Sequence, residues 1–302
     1  MNRETYYSAL KKFKPVDTEL AISEKVQEIL NTSFEKNFTS QVLASIYGCI
    51  DLTTLNSLDT KETVYQLVEK VNNFEGSPIF PNVAAICTYP VFVETVKQSL
   101  LVRDVKIASV AAGFPSSQTF LEIKKAETVM AVKAGADEID VVLNLGYFME
   151  NADDEIVDEL VEIKESCHGA TLKVILETGA LATHDNIRRA TILSIYSGAD
   201  FIKTSTGKGY PGVTPEVFYT ICKVVKEHKE LTGKKVGVKV SGGIRTAEEA
   251  VRYYSITESL LGKEWLNKDL FRIGASGLIT DIKNKIEMMN EVIRDNKMFL
   301  SN

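Results

Sequence analysis

Eight short apolar segments recur along this chain, and their spacing constrains the fold more than any other feature. They read SIYGCIDLT, VAAICTYP, KIASVAAGFP, EIDVVLNLG, LKVILETG, DFIKTSTG, VGVKVSGG and LFRIGASG. They begin near residues 45, 83, 106, 138, 172, 200, 236 and 270. A strand, a crossover helix and the next parallel strand need about 30 residues, so eight such steps predict a closed (β/α)8 TIM barrel.

Longer segments with helical spacing separate the apolar segments, for example residues 120–135 and 214–233. A Thr-Pro-Glu sequence at 214–216 is a helix-start signal, and Gly233 is a stop signal. An open doubly wound sheet also alternates strands and helices, but it carries its glycine-rich turn after the first strand. Here the first strand ends in DLTT, and the glycine-rich turns follow strands six, seven and eight, which favours the barrel.

The first 44 residues precede this repeat. Residues 18–34 place apolar side chains at helical spacing, with Asp17 or Thr18 available as a cap, which predicts an amphipathic helix. We therefore predict an N-terminal helical extension over residues 1–44 and a (β/α)8 barrel with a short C-terminal tail over residues 45–302. Two roles for the extension stay open: capping the bottom of the barrel and contributing to a subunit contact.

Charge and cysteine usage limit the partners and the compartment. The 35 Lys and Arg against 41 Asp and Glu give a net charge of −6, which argues against nucleic acid or an anionic membrane as partner. No apolar run approaches the ~18 residues of a membrane span. Scattered cysteines without CxxC spacing argue against a disulfide framework and a thiolate zinc site. We expect a cytoplasmic protein. The cysteines are Cys49, Cys87, Cys167 and Cys222.

Charged residues interrupt several of the predicted strands. Strands of a parallel barrel are covered on both faces and are normally continuous apolar runs. Asp140 interrupts EIDVV, and lysines interrupt the next three strands at Lys173, Lys203 and Lys239. A buried lysine must pair with a carboxylate or lose its proton. For one lysine alone, a strand-end residue or a structural ion pair is the simpler interpretation.

Lys203 and Lys239 lie on adjacent strands, about 4.8 Å apart, so both side chains can enter the same interior. Their repulsion favours a neutral amine on one of them near pH 7, and a neutral amine attacks carbonyl carbon in Schiff-base catalysis. Asp140 would serve as counter-charge and proton relay. Asp51 and Glu177 sit at strand ends, where a supporting polar network and simple turn capping both fit.

Three glycine-bearing turns follow the last three strands: TGK at 206–208, SGGIR at 241–245 and GASG at 274–277. Glycine lets backbone amides approach an anion, and a helix N-terminus adds partial positive charge. Any one of these loops is explained by a tight turn, but three together predict a phosphate site. Its candidate residues are Gly207, Lys208, Gly242, Gly243, Arg245, Ser276 and Gly277.

The positions of the histidines and cysteines in the sequence do not favour metal or thiol chemistry. His168, His184 and His228 have neither HxH nor HExxH spacing, so we expect no metal site and no cofactor. Cys87 lies near a strand end and is a candidate reactive thiol, although a buried inert cysteine is the commoner outcome.

Taken together, these segments resemble the deoxyribose-phosphate aldolases, a family of class I, Schiff-base aldolases with the TIM-barrel fold. The resemblance runs from about residue 49 to 277, and the pair FIKTSTGK and GVKVSGGIRT carries it most specifically. It implies that Lys203 forms the Schiff base, Lys239 perturbs Lys203, Asp140 relays protons and Lys173 belongs to the same polar network. It also implies that the glycine-bearing turns hold the substrate phosphate.

The resemblance implies reversible cleavage of 2-deoxy-D-ribose 5-phosphate to acetaldehyde and D-glyceraldehyde 3-phosphate. The expected partners are this phosphorylated sugar and a second copy of the chain in a homodimer. Two alternatives stay open: a sugar-phosphate isomerase with Asp140 or Glu177 as base, and a non-catalytic sensor of sugar phosphates. The sequence departs from some family members in VVLNLGYF after strand four, in Gly277 where others carry serine, and in a tail without tyrosine at 290–302.

Overall fold

Eight parallel strands close into one barrel in a computed structural model of the chain, and their order around the barrel is the order in sequence. The structure describes residues 3–74 and 80–300, with side chains for residues 7–74 and 80–291. Strand β8 pairs with β1 and completes the ring, which confirms the predicted TIM barrel over the open sheet. The strands are β1 (Ile50–Thr53), β2 (Ala85–Thr88), β3 (Lys106–Ala111), β4 (Glu138–Val142), β5 (Thr171–Ile175), β6 (Phe201–Lys203), β7 (Gly237–Ser241) and β8 (Phe271–Ala275).

Helices follow the strands and surround the barrel. They are α1 (Arg3–Leu10), α2 (Glu19–Asn37), α3 (Ser40–Tyr47), α4 (Lys61–Asn72), α5 (Val93–Ser99), α6 (Leu121–Ala134), α7 (Leu145–Met149), α8 (Asp153–Ser166), α9 (Thr178–Leu181), α10 (His184–Tyr196), α11 (Pro215–Thr232), α12 (Ala247–Leu261) and α13 (Leu278–Leu300). The segments predicted at 120–135 and 214–233 form α6 and α11, the latter between its Thr214 cap and Gly233. In the described part of the chain, no helix is long and apolar enough to cross a membrane.

The first apolar segment is mixed in structure. Its residues 45–47 belong to α3, and the strand begins only at Ile50. Thr39 caps α3 by accepting a hydrogen bond from the Val42 amide, and the apolar side chains that follow are buried at helical spacing. The prediction of a strand from residue 45 was therefore five residues too early.

The predicted amphipathic helix of the N-terminal extension is α2. The Thr18 hydroxyl accepts a hydrogen bond from the Ala21 amide at 3.3 Å, which makes Thr18 the cap. The helix packs against α11 and α12, and the Asn37 amide group donates to Ser255 Oγ at 3.1 Å and to Glu258 Oε2 at 2.8 Å. The extension thus contacts outer helices of the late half of the barrel. The boundary at residues 44 and 45, and a role in a subunit contact, stay predictions.

The barrel interior is divided between small apolar and charged side chains. Strands β2 and β3 contribute a cluster of Ala85, Cys87, Ala108 and Val110. Charged side chains enter from β1 and from β4 to β8, and all of them are buried. The charged part of the interior carries the candidate functional site.

Candidate active site

Strand register places the four predicted charged residues side by side. Asp140 of β4 pairs with Lys173 of β5, and Lys203 of β6 pairs with Lys239 of β7. Since side chains alternate between the two faces of a strand, paired residues point the same way, here into the barrel. Each of the four is at most 3% exposed. The expectation that Lys203 and Lys239 share one interior agrees with this geometry.

The Asp140 carboxylate is the centre of this group. Its Oδ2 atom accepts hydrogen bonds from Lys203 Nζ and Lys239 Nζ, both at 2.8 Å. Its Oδ1 atom lies 3.0 Å from Lys173 Nζ. Two lysines therefore converge on a single oxygen atom, which holds their mutually repelling charges close together.

A second layer of charged side chains supports the first from the lower end of the barrel. Asp51 Oδ2 lies 2.5 Å from Lys239 Nζ, and Asp51 Oδ1 lies 2.6 Å from Arg272 Nη1. Glu138 Oε2 lies 2.5 Å from Lys173 Nζ, and Glu138 Oε1 lies 2.7 Å from Arg272 Nη2. Asp51 thus belongs to the polar network rather than to a turn cap. Glu138 and Arg272 were not predicted from the sequence.

The electrostatic environment separates Lys203 from the other lysines. Burial lowers the pKa of the Lys203 ammonium below its usual value, and the charge of Lys239 lowers it further, although Asp140 opposes both. Burial acts on Lys239 in the same sense, but Asp140 and Asp51 outweigh it and raise the pKa of Lys239. Lys173 has a raised pKa for the same reason, through Asp140 and Glu138. Lys203 is therefore the lysine that most readily becomes a neutral amine.

Asp140 is held in its ionised form. Burial alone would raise the pKa of its carboxyl group, but Lys173, Lys203 and Lys239 outweigh burial and keep the pKa well below the usual range. A carboxylate so strongly stabilised is a poor general base by itself. It suits the role of counter-charge and proton relay between amines, which does not favour the isomerase alternative.

Glu177 anchors the loop after β6. Its carboxylate accepts hydrogen bonds from the Thr206 hydroxyl, a short contact, and from the Thr206 amide at 3.2 Å. Burial raises the pKa of this carboxyl group, and both bonds from Thr206 oppose the rise. Glu177 is 2% exposed. Its acceptor atoms are engaged by the loop, so it acts as a support and not as a free base.

The glycine-bearing turns meet above Lys203. A cleft of about 220 Å³ is lined by Lys203 and by residues of the loops after β1, β6, β7 and β8. It includes most of the predicted phosphate residues, namely Gly207, Lys208, Gly242, Gly243, Arg245 and Ser276. Gly277 follows Ser276 directly before α13 and is not among the lining residues. One cleft thus joins the buried amine of Lys203 to the three glycine-bearing loops and to the cations Lys208 and Arg245.

Close packing between two of these loops explains Gly212 and Gly242. A Cβ atom on Gly212 would lie 1.9 Å from the Gly242 carbonyl oxygen, so the loop after β6 touches the loop after β7 without an intervening side chain. Gly242 has a φ of +96°, a backbone conformation that glycine adopts without strain. The Ser241 hydroxyl also donates to the Ser205 carbonyl at 2.6 Å. These contacts fix the two loops relative to each other.

Lys208 is positioned beside the cleft. Its Nζ donates a hydrogen bond of 2.5 Å to the Leu55 carbonyl oxygen, which also accepts from the Tyr89 hydroxyl at 3.2 Å. The ammonium is therefore tethered to the loop after β1 at the rim of the cleft. A phosphate entering the cleft would offer it a stronger, charged acceptor.

In the described part of the chain, no cysteine or histidine forms a hydrogen bond with the charged groups of the site. All four cysteines are buried free thiols, and burial raises the pKa of the Cys87 thiol above its usual value. His184 Nδ1 lies 2.7 Å from Thr220 Oγ1, and His228 is buried on α11. Within residues 3–74 and 80–300, no group of His, Cys, Asp and Glu is arranged to hold a metal ion.

Fold and site define a class of enzyme: a TIM barrel with a buried amine beneath a cleft suited to an anion. The model of the DeoC/LacD family aldolases matches residues 46–259, and the chain belongs to this family. It is a class I aldolase, a carbon–carbon lyase. The predicted resemblance is thereby confirmed.

Individual relatives agree with the family. A protein of Caenorhabditis elegans is 42% identical over 265 residues, which cover 86% of this chain and 85% of that protein. The deoxyribose-phosphate aldolase of Mus musculus is 37% identical over 280 residues, with coverage of 88% and 87%. The tetrameric deoxyribose phosphate aldolase of Aeropyrum pernix is 27% identical with a TM-score of 0.65, and the match covers 88% of this chain and 98% of that one.

Proposed function

We propose that the protein reversibly cleaves 2-deoxy-D-ribose 5-phosphate to acetaldehyde and D-glyceraldehyde 3-phosphate through a Schiff base on Lys203. One observation carries the assignment of Lys203. This lysine contacts Asp140 at 2.8 Å within the barrel and also lines the cleft formed by the glycine-bearing loops. An amine at this position can reach the aldehyde of an open-chain sugar whose phosphate lies among those loops.

The proposed reaction begins when the neutral Lys203 amine attacks the C1 aldehyde and forms a carbinolamine. Loss of water gives an iminium ion, with the proton supplied through Asp140 and Lys239, whose atoms lie 2.8 Å apart. The C3 hydroxyl then passes its proton to the Asp140–Lys239 pair, which gave up a proton when water was lost, and the C2–C3 bond breaks. The bonding electrons move into the iminium group, so glyceraldehyde 3-phosphate leaves and an enamine remains. Protonation of the enamine and hydrolysis release acetaldehyde and free Lys203.

The phosphate would be held by backbone amides and cations in the upper cleft. We assign this role to Gly207, Lys208, Gly242, Gly243, Arg245 and Ser276, with Gly277 beside them at the start of α13. Oriented amides and a helix N-terminus bind an anion without any need for net positive charge on the whole protein. This local arrangement reconciles an acidic chain with an anionic substrate.

We further propose that the chain acts in the cytoplasm as a homodimer, without a metal or cofactor. Four buried free thiols support a reducing compartment. The tetrameric relative from Aeropyrum pernix supports self-association of barrels of this family. Light scattering coupled to gel filtration tests the dimer, and a mass near 33.5 kDa, that of one chain, would contradict it.

Reductive trapping tests the central assignment. Acetaldehyde with borohydride is expected to leave an ethyl adduct on Lys203, located by peptide mass spectrometry. Lys203→Arg keeps a long basic side chain but cannot form the imine, so it should lose essentially all turnover. An adduct on another residue, or turnover that survives Lys203→Arg, would contradict the mechanism and revive the isomerase alternative. Product release in a coupled glyceraldehyde-phosphate assay excludes a mere sensor.

A further inference from the structure

The charged cluster inside the barrel extends beyond the groups that the proposed reaction uses. Arg272 and Glu138 contact neither the cleft nor Lys203, yet they are 2% and 4% exposed and are bound into the same network. We propose that Arg272 and Glu138 are positioning residues that set the charge balance of the cluster and thereby keep Lys203 as its one unprotonated amine. This inference rests on the proposed function.

A count of formal charges shows the imbalance. The cluster contains three carboxylates and four cationic side chains, joined by contacts of 2.5 to 3.7 Å. With every group ionised it would hold one excess positive charge in a buried site, where an uncompensated charge is very unfavourable. Loss of one proton restores neutrality. The groups are Asp51, Glu138 and Asp140, with Lys173, Lys203, Lys239 and Arg272.

The distribution of contacts decides which cation loses its proton. Lys173 lies near all three carboxylates, and Lys239 lies near two. Arg272 also contacts two carboxylates, and an arginine does not lose its proton in proteins. Lys203 contacts one carboxylate, and it shares that oxygen atom of Asp140 with Lys239. Lys203 is therefore the group that loses its proton.

Arg272 is the cation that makes this imbalance permanent. A guanidinium remains charged at every pH at which the protein is folded, so its pairing with Asp51 and Glu138 removes about one carboxylate charge from the lysines. The three lysines are then left with less negative charge than they need. Glu138 has the opposite effect on the charge balance, because its carboxylate supplies negative charge to both Arg272 and Lys173.

Other titratable groups near Lys203 do not upset the count. Burial raises the pKa of the Cys87 thiol, which leaves it neutral. Glu177 bonds to Thr206, and in the described part of the chain no ion pair joins it to the cluster. At the same upper end, Lys208 is bound to the Leu55 carbonyl, and its positive charge offsets the negative charge of Glu177. The groups that face Lys203 are Cys87 on β2, Asp140 on β4, Glu177 after β5, Lys208 after β6 and Lys239 on β7. Behind Asp140 and Lys239 lie Asp51 on β1, Glu138 on β4, Lys173 on β5 and Arg272 on β8.

Three variants separate charge balance from simple structural support. Arg272→Met leaves three cations with three carboxylates, so Lys203 can keep its proton. Glu138→Gln leaves four cations with two carboxylates, which makes a protonated Lys203 less favourable still. The double variant carries three cations and two carboxylates, the same single excess as the natural protein. Arg272→Lys keeps the cation and serves as the conservative control.

The readout is the acid limb of the pH profile, measured both for kcat/KM and for the rate of reductive labelling of Lys203 by acetaldehyde. We expect this limb to move to higher pH by about one unit in Arg272→Met and to lower pH in Glu138→Gln. The double variant and Arg272→Lys should return it to the natural position. If Arg272→Met does not fold, the downward shift in Glu138→Gln and its reversal in the double variant carry the test.

The inference would be overturned if both single variants shifted the acid limb in the same direction or left it in place. It would also be overturned if the acid limb of the double variant were displaced as far as that of a single variant. A purely structural role predicts loss of kcat and stability in all variants, with the greatest loss in the double variant. Failure of the proposed function is distinguishable, since the natural protein would then show neither cleavage nor label on Lys203.

Discussion

Substitution of Gly212 by alanine tests whether contact between two loops builds the phosphate cleft. The new Cβ atom would lie 1.9 Å from the Gly242 carbonyl oxygen. Carbon and oxygen atoms approach to about 3.3 Å at closest, so the loops after β6 and β7 must separate by about 1.4 Å. The crowded atom belongs to the backbone, and no side-chain rotation can relieve the contact. Both loops line the cleft, so its amides and Lys208 would be displaced relative to Gly242.

A misplacement of about 1 Å costs about 100-fold in activity, or about 2.7 kcal/mol of transition-state stabilisation. We expect this loss in kcat/KM for 2-deoxy-D-ribose 5-phosphate, mostly as an increase in KM. The reaction of 2-deoxy-D-ribose, which has no phosphate, should change less than about threefold, because Lys203 lies within the barrel on β6. Steady-state cleavage of the two sugars, measured side by side, gives the comparison.

Gly233→Ala is the matched control. Gly233 has a φ of +72° and open space around its Cβ position, so alanine there adds backbone strain without crowding. It should lower the free energy of unfolding by about 1 kcal/mol and leave both activities unchanged. The reasoning is refuted if folded Gly212→Ala cleaves the phosphorylated sugar at the natural rate, or loses activity equally on both sugars.

Three further predictions concern the charged groups. Asp140→Asn should lower kcat about 10³-fold in steady-state assays, because the amide cannot balance or relay charge among the lysines. Thr206→Val removes the hydroxyl bound by Glu177 and should lower the free energy of unfolding by about 2 kcal/mol, with KM raised more than kcat is lowered. Acid should destabilise the protein below about pH 4 in urea unfolding experiments. Neighbouring lysines hold the pKa of Asp51 and of Asp140 below the value that each has in the unfolded chain, and Arg272 adds to this effect at Asp51. As the pH falls, the unfolded chain therefore binds more protons at these two carboxyl groups than the folded chain does, and the free energy of unfolding decreases. An unfolding free energy that stays constant down to pH 2 would contradict that origin.

The sequence predicted the architecture and the meeting of Lys203 and Lys239 inside the barrel because both depend on regular spacing. Eight parallel strands at steps of about 30 residues form one kind of closed barrel. A lysine within a strand that is covered on both faces must direct its side chain either into the barrel or toward the surrounding helices. Lys203 and Lys239 therefore meet for reasons that strand position alone supplies. The start of β1 was misplaced because apolar residues at 45–47 fit either a strand or the last turn of a helix.

Glu138 was missed because it is the first residue of its apolar segment, and Arg272 was missed because it lies close to the start of its own. A charged residue at a strand end usually reaches solvent, so neither stood out from ordinary strand boundaries. One signal was available: Glu138 precedes Asp140 by two residues, and side chains two apart on a strand share a face. The contact between Asp51 on β1 and Arg272 on β8 depends on the pairing of the first strand with the last, which no local pattern contains.

The charged cluster is better explained by chemistry than by stability. Replacing buried ion pairs by apolar side chains of similar volume is often neutral or stabilising, so a barrel of this fold does not need seven buried charges to close. The opposite wall bears this out, since β2 and β3 fill their part of the interior with small apolar side chains. That dry wall also raises the cost of a proton on Lys203, because water cannot solvate the ammonium from that side. Apolar packing on one side and a deficit of carboxylates on the other thus act in the same sense, and both favour the neutral amine that the proposed mechanism requires on Lys203.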